Sequence, residues 1–300
     1  MPACTICGKG TGFTGGYAHE NCLAHRQLAT ERITVAAHDC ALGKVAPSEA
    51  AQTAAALRGD ARFSDEDVRV LQFRGIGQAV DEILAHDLFT RKQEDVLKKC
   101  VQELDLAGAE LDAEPFWAKA LESAVLREVL DGGLPPAPGA DLQFPFDMEF
   151  GEVMIWWKGG VIYSEVRTVY AGATSGMMLP LGLGIGYQIG RFQAAPIETS
   201  QTQQVGVGVL AIATRHLYFS DGLHGLKIDL EHIVSFYPFD DGLAICCDHP
   251  GAIPQTFLTG DGWFFYPLVR TLARRRVREI FDSREQAAAV AASVNDRMLR

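Results

Sequence analysis

Apolar positions recur at three- and four-residue steps through the middle of the chain, then give way to short β-type runs in its second half. After Thr90, the residues Val96, Leu97, Cys100, Val101 and Leu104 keep helical spacing and define one apolar face. Ile83, Leu84, Leu88 and Phe89 lead into that face, and Trp117, Leu121, Val125 and Leu126 extend the pattern to a last helix. Helix starts are marked by caps. Ser48 and Glu49 follow Pro47, Ser64 precedes Asp65, Glu66 and Asp67, and Thr90 stands three residues before Gln93. Acids in a first turn also suit the positive end of the helix dipole. A helix, a short turn and a second capped helix thus recur, at 41–57 and again at 83–106. The spacing predicts an all-helical bundle over residues 33–131.

From about residue 143 the periodicity changes. Val153 to Trp157, Val161 to Tyr163, Val205 to Thr214, Leu217 to Phe219, Ile233 to Phe236 and Leu243 to Cys246 are short runs rich in β-branched and aromatic residues. Turn signals such as Lys158-Gly159-Gly160, Ser220-Asp221-Gly222 and Asp240-Asp241-Gly242 bound them. Trp263 to Leu272 and Glu279 to Leu299 return to helical spacing. Residues 143–300 therefore read as a small, strongly bent antiparallel sheet or barrel with a C-terminal helix. Between bundle and sheet, the segment Asp131 to Gly139 is dense in glycine and proline and cannot continue a helix, which sets a linker over 132–142. With a Cys-, Gly- and His-rich opening over 1–32, the fold class is α+β and multidomain.

Composition adds bounds to this picture. A chain of 300 residues with 48% hydrophobic and 22% charged positions suits two or three globular domains. A net charge of −11 opposes nucleic-acid binding over the whole surface, because phosphate binding wants a positive field. The seven cysteines, Cys4, Cys7, Cys22, Cys40, Cys100, Cys246 and Cys247, are odd in number and unevenly spaced, which argues against a secreted disulfide framework. No basic stretch followed by an apolar run opens the chain, so no signal peptide is expected. The longest membrane-like stretch, Met177 to Ile189, falls short of the roughly 20 apolar residues that span a bilayer. The expected location is the cytoplasm.

The most specific chemical signal is Cys4-x-x-Cys7, then eleven residues, then His19-x-x-Cys22. Zinc takes four borderline or soft ligands in a tetrahedron, and two pairs on separate turns supply them. Gly8, Gly10 and Gly12 follow the first pair, as a knuckle that turns its amides toward thiolates requires. The second pair stands just before an apolar-periodic stretch, at a helix start. A closed set of four ligands leaves no open position for water, so the ion expected here is structural. His25 and Cys40 are the nearest substitutes for His19. The alternative is a thioredoxin-like redox dithiol at Cys4 and Cys7, which belongs at a strand-to-helix turn in a βαβ unit.

Other signals are blander. The string Gly182, Gly184, Gly186 and Gly190 departs from the dinucleotide fingerprint and reads as glycines in tightly turning strands or a loop. Arg270, Arg274, Arg275, Arg276 and Arg278 could meet anionic lipid heads or phosphates. The preferred reading is a solvated helix face balanced by Glu279, Asp282 and Glu285, with Leu272, Val277 and Phe281 packed beneath. His216, His224, His232 and His249 have no metal-type spacing, and Cys246 and Cys247 are adjacent on a strand and point to opposite faces. No catalytic constellation is visible.

Three stretches resemble known families. The cysteine and histidine pairs resemble treble-clef and zinc-ribbon modules over about residues 4–40. Ile83 to Leu97 followed by Glu103 to Leu106 resembles the helical tellurite-resistance-B-like bundle, in which a short turn precedes a threonine-capped helix that begins with acids; only the fold carries over. Gly208 to Phe219, Lys227 to Leu230, Ile233 to Phe236 and Asp241 to Ile245 resemble bacterial pleckstrin-homology-like and GRAM-like domains over about residues 148–272. Asp229 stands where proline is common in that family, and His216 lies inside its Thr-x-Arg-Leu-Tyr-Phe type phrase. Such domains bind proteins, lipids or copies of themselves, which implies a non-enzymatic adaptor with a protein partner. The alternatives are a homo-oligomer, a peripheral protein on anionic lipid, or a thiol redox protein. Nucleic acid is disfavoured, because Lys9, His25 and Arg26 are the only cations near the zinc motif.

Overall fold

The computed structural model describes residues 3–11, 17–135, 144–171, 177–181, 185–189 and 197–279, of which 167–201 by backbone alone. The chain divides into two compact units, Met1–Gly133 and Leu134–Arg300.

The first unit is helical: α1 (Glu20–Ala41), α2 (Pro47–Ala61), α3 (Asp65–Leu84), α4 (Arg91–Glu103), the single turn α5 (Ala109–Asp112) and α6 (Pro115–Leu130). Ser64 and Thr90 close capping boxes with Asp67 and Gln93. Ser48 caps nothing. Helix α2 begins two residues earlier than a Ser48 cap would set it, with Ala46 as N-cap and Pro47 in the first turn, where a missing N–H is harmless. Ala37 and Cys40 of α1, Ile76, Ala79 and Val80 of α3, and Leu97, Cys100 and Val101 of α4 form one buried cluster with Phe89. Close approach of α1 and α3 depends on Gly75, where an added Cβ would lie 2.2 Å from the Thr34 carbonyl oxygen. The turn before α4 is tied to α6: the Phe89 amide donates to Ser123 Oγ at 2.8 Å, and Arg127 donates to the Phe89 carbonyl and to Glu94, each at 2.8 Å.

The second unit is an antiparallel sheet with a C-terminal helix. Its strands are β1 (Met154–Ala171), β4 (Ile197–Ala213), β5 (His216–Ser220), β6 (Gly225–Asp229), β7 (Ile233–Phe239), β8 (Gly242–Cys247) and β9 (Gln255–Leu258), in the spatial order β6-β5-β4-β1-β9-β8-β7. Among the described residues no pairing joins β6 to β7, so the sheet is open rather than a closed barrel. A separate hairpin, β2 (Met177–Leu181) with β3 (Ile185–Ile189), occupies the stretch that hydropathy marked as membrane-like. No helix among the described residues is long and apolar enough to cross a membrane. Helix α7 spans 262–279. Its Phe264, Phe265, Leu268 and Val269 are fully buried, as are Phe219 and Phe257 of the sheet. Tyr163 stands at the centre of these rings, 5.0 Å from Phe219 and 5.2 Å from Phe257.

Two expectations change here. Lys158-Gly159-Gly160 is not a turn but a bulge within one continuous strand, where the register steps between Lys158 and Val161. Gly160 takes the left-handed conformation, φ +73°, that the bulge needs. Strand β4 also begins at Ile197 rather than Val205. Gly12, Gly182, Gly184 and Gly190, most of the 132–142 linker, and the helical pattern beyond residue 279 lie outside the described residues.

Candidate metal centre

The opening residues contain little that could fold by burial. Ala3 and Gly10 form an isolated bridge, the Cys4 amide donates to the Lys9 carbonyl at 2.8 Å, and the Gly8 amide returns to the Cys4 carbonyl at 2.8 Å. Gly8 has φ +72°, which a tight knuckle needs and only glycine adopts cheaply. A further bond, Thr5 N–H to the Tyr17 carbonyl at 2.9 Å, brings the second pair alongside the first. His19 is the N-cap of α1, and Cys22 lies in its first turn with its amide on the His19 carbonyl at 3.0 Å.

This path brings Cys4, Cys7, His19 and Cys22 together, with one donor atom from each within 4.8 Å of the others. His19 Nδ1 is 3.3 Å from Cys7 Sγ and 3.8 Å from Cys22 Sγ. The other ring nitrogen, Nε2, lies 3.1 Å from the Gly10 carbonyl. A carbonyl only accepts, so the Gly10 contact places a proton on Nε2; with Nδ1 unprotonated, the lone pair of that nitrogen faces the sulfurs, as in a ligating imidazole. The amides of Cys7 and His19 each donate to Cys4 Sγ at 3.5 Å.

The electrostatics follow from this packing. The Cys7 amide, helped by those of His19 and Ile6 against partial desolvation, brings the Cys4 thiol down to about 6. Cys22 is pushed up to about 11, first by desolvation and then by the neighbouring thiols of Cys7 and Cys4. The Gly10 carbonyl and then the Cys7 side chain raise His19. Crowded sulfurs that cannot all ionise together are what a divalent cation at their centre would relieve. The donor set of three thiols and one imidazole on two turns therefore fits a metal ion, and these four residues could hold one.

The substitutes for His19 lie elsewhere. His25 is exposed on α1, and Cys40 is buried in the helical core. There the S–H of Cys100 bonds it and draws its thiol below the usual value. Among the described residues no other group of three or more His, Cys, Asp or Glu is close enough to share an ion. The role of the Gly10 carbonyl in orienting His19 has no sequence signal, because any residue supplies a carbonyl.

Several of the remaining candidates make ordinary contacts. Arg275 meets Glu279 at 3.4 Å, Arg276 meets Glu231 at 3.3 Å, and Arg270 lies over the Tyr266 ring at 5.6 Å. Leu272 is buried as expected, but Val277 is exposed, and Phe281, Asp282 and Glu285 lie outside the described residues. His216 is buried between two carboxylates: Nδ1 is 2.8 Å from Glu152, and Nε2 bonds Asp229. Exposed His224 and His232 pair with Asp221 and Asp248 at 2.9 and 3.0 Å.

Comparison with protein-family models, with curated proteins and with solved structures gives no match to this chain.

Proposed function

We propose that the chain is a non-enzymatic cytoplasmic adaptor: a zinc-held knuckle on a helical bundle, followed by a pleckstrin-homology-like unit that binds a protein partner. The observation that carries the first part is the convergence of Cys4, Cys7, His19 and Cys22. Three sulfurs and one nitrogen select zinc over the harder cations, and four protein ligands make the ion structural rather than catalytic. The sheet supports the second part. The phrase ending at Phe219 runs from β4 through the turn at Thr214 and Arg215 into β5, the Lys227 and Ile233 phrases fall on β6 and β7, and Trp263 lies in the first turn of a helix packed on that sheet. The lipid-binding alternative is weaker, because Arg275 and Arg276 are engaged by Glu279 and Glu231.

The deciding experiment is the metal content of the purified, untagged chain beside a Cys4→Ser, Cys22→Ser variant. About one zinc per chain, lost in the variant, is the expected result. A metal-free protein whose Cys4 and Cys7 titrate as reactive thiols would reverse the reading and put redox chemistry first.

A further inference from the structure

Strands β1 and β4 run well past the rest of their sheet. Strand β9 follows β1 only to Glu165, and β5 pairs with β4 only from Val209 to Ile212. The Val166 amide still reaches the Pro254 carbonyl at 3.4 Å, and from Arg167 opposite Gln201 to Ala171 opposite Ile197 β1 and β4 pair with each other alone among the described residues. Five such rungs extend the ribbon by roughly 17 Å. The hairpin β2–β3 falls in the stretch of chain between these two strands, and among the described residues its strands also pair only with each other.

The sequence here is exceptional. The 23 residues 168–190 contain no Asp, Glu, Lys, Arg or His, in a chain that is 22% charged. Natural sheets protect free edges with lysine, inward charges or proline, because an unprotected edge pairs with another strand. One of the two edges has that protection. Pro180 has no N–H and stands opposite Gly186, so this rung is of the non-hydrogen-bonded kind, with the backbone groups of both residues turned away from the partner strand. The outer edge of β2 therefore lacks a donor at its centre. The outer edge of β3 is intact, and by the two-residue alternation it presents the N–H and C=O of Gly186 and Gln188.

We propose that the β3 edge, Ile185–Ile189, pairs antiparallel with the same edge of a second copy of this chain. A lone two-stranded hairpin is marginal in water, whereas two copies joined at β3 make four strands. The edge is self-complementary. A two-fold axis at Tyr187 sets Gly186 opposite Gln188 of the second copy, so all the outward donors and acceptors are satisfied. No like charges meet, because the strand has none. A bilayer fits less well: the net charge of −11 opposes an anionic surface, and a hairpin with open edges leaves its backbone unsatisfied in hydrocarbon. The inference does not depend on the pleckstrin-homology-like reading.

Sedimentation of the full chain over roughly 1–100 μM, the range of weak to moderate association, tests it. The expected species is a dimer of the 32.6 kDa chain, and Gln188→Pro, which removes an outward N–H, is expected to sediment as the monomer. Cysteine variants give a second measurement that does not depend on how well the proline variant folds. Tyr187→Cys sits at the two-fold, opposite its own copy at disulfide range, and should crosslink under mild oxidation above the wild-type background. Gln188→Cys faces glycine and should not. A wild-type monomer at every concentration, a dimer that survives Gln188→Pro, or equal crosslinking of the two cysteine variants would overturn the proposal. So would a monomer that floats with neutral phosphatidylcholine vesicles, which would give the hairpin to the membrane.

Discussion

The cysteine knuckle of residues 3–11 and 17–19 and the C-terminal sheet draw on different parts of physical chemistry. Within residues 3–11 and 17–19, Cys4 alone is buried, and the local bonds run from amides to carbonyls and to sulfur. In the sheet unit, Leu210, Ile212, Leu217, Phe219, Leu243, Phe257, Phe264 and Phe265 are removed from solvent almost entirely. The hydrophobic effect acts on the second region and has little apolar area to act on in the first. Cysteine illustrates the same contrast within one unit. Cys40 is a core residue among Ala37, Ile76 and Cys100, while Cys4, Cys7 and Cys22 face one another around a polar centre.

That difference breaks most visibly under a strong chelator or in the Cys4→Ser, Cys22→Ser variant. The amides of Cys4, Thr5 and Gly8 are each hydrogen-bonded within the knuckle and should lose all protection in hydrogen exchange. The amides of α1 from Ala29 onward should keep theirs, because Ala29, Ile33, Ala37 and Cys40 are held by apolar packing. The sheet should be unchanged. Protection that survives ligand loss over residues 3–9 would mean that the knuckle holds itself without a cation.

A smaller effect sharpens the comparison from the other side, because the sheet unit also contains one polar centre. The Glu152 side chain is fully buried and accepts from Tyr218 Oη, from the Arg215 amide at 3.1 Å and from His216 Nδ1 at 2.8 Å. Burial alone would raise its carboxyl, but the bonds from Tyr218 and His216 outweigh it and hold the group below the usual carboxylate range. A carboxyl depressed in the folded state stabilises above its unfolded value of about 4.3, and this contribution is lost as pH falls through the lower folded value. Burial and the Glu152 bond push Tyr218 up to about 12, so its contribution is present below about 10 and lost as pH rises toward 12. Glu152→Gln should cost roughly 1–3 kcal/mol near neutrality, as one charged partner is lost from a buried network. It should also flatten the acid limb of the sheet unit's stability curve, measured by denaturant melts from pH 3 to 7, around the unfolded carboxyl value of about 4. An unchanged acid limb would show that other carboxylates control it.

The Cys4, Cys7, His19 and Cys22 cluster was legible because of its spacing: two pairs, each with two residues between its members, can close on one point wherever the chain turns. The helices were legible where a cap adjoined an apolar stripe, as at Ser64 and Thr90, and misplaced where proline set the first turn, as at Pro47. The His216–Glu152 pair was not legible, because its partners are 64 residues apart and neither belongs to a motif. Strand order was likewise hidden. Nothing local to β1 tells that it pairs with β9, which begins 84 residues after Ala171.

Gly159 and Gly160 give the finest test, since their two readings differ in a way that substitution separates. Two glycines between apolar runs look like a hairpin turn, and in a turn of that kind both central residues take positive φ. In the bulge only Gly160 does, at +73°, and Gly159 and Gly160 together face Val209, between the rungs Lys158–Leu210 and Val161–Gly208. Open space surrounds both, with no atom within 4 Å of an added Cβ, so conformation rather than collision decides the outcome. Gly160→Ala should cost about 1–2 kcal/mol, the penalty of a left-handed alanine. Gly159→Ala should stay within roughly 0.5 kcal/mol of wild type, because an alanine there also narrows the unfolded ensemble. Equal and large losses at both positions would restore the hairpin reading and divide β1 in two. A loss at Gly160 alone keeps β1 as one strand and makes the bulge, rather than a chain reversal, the feature through which it bends along the sheet.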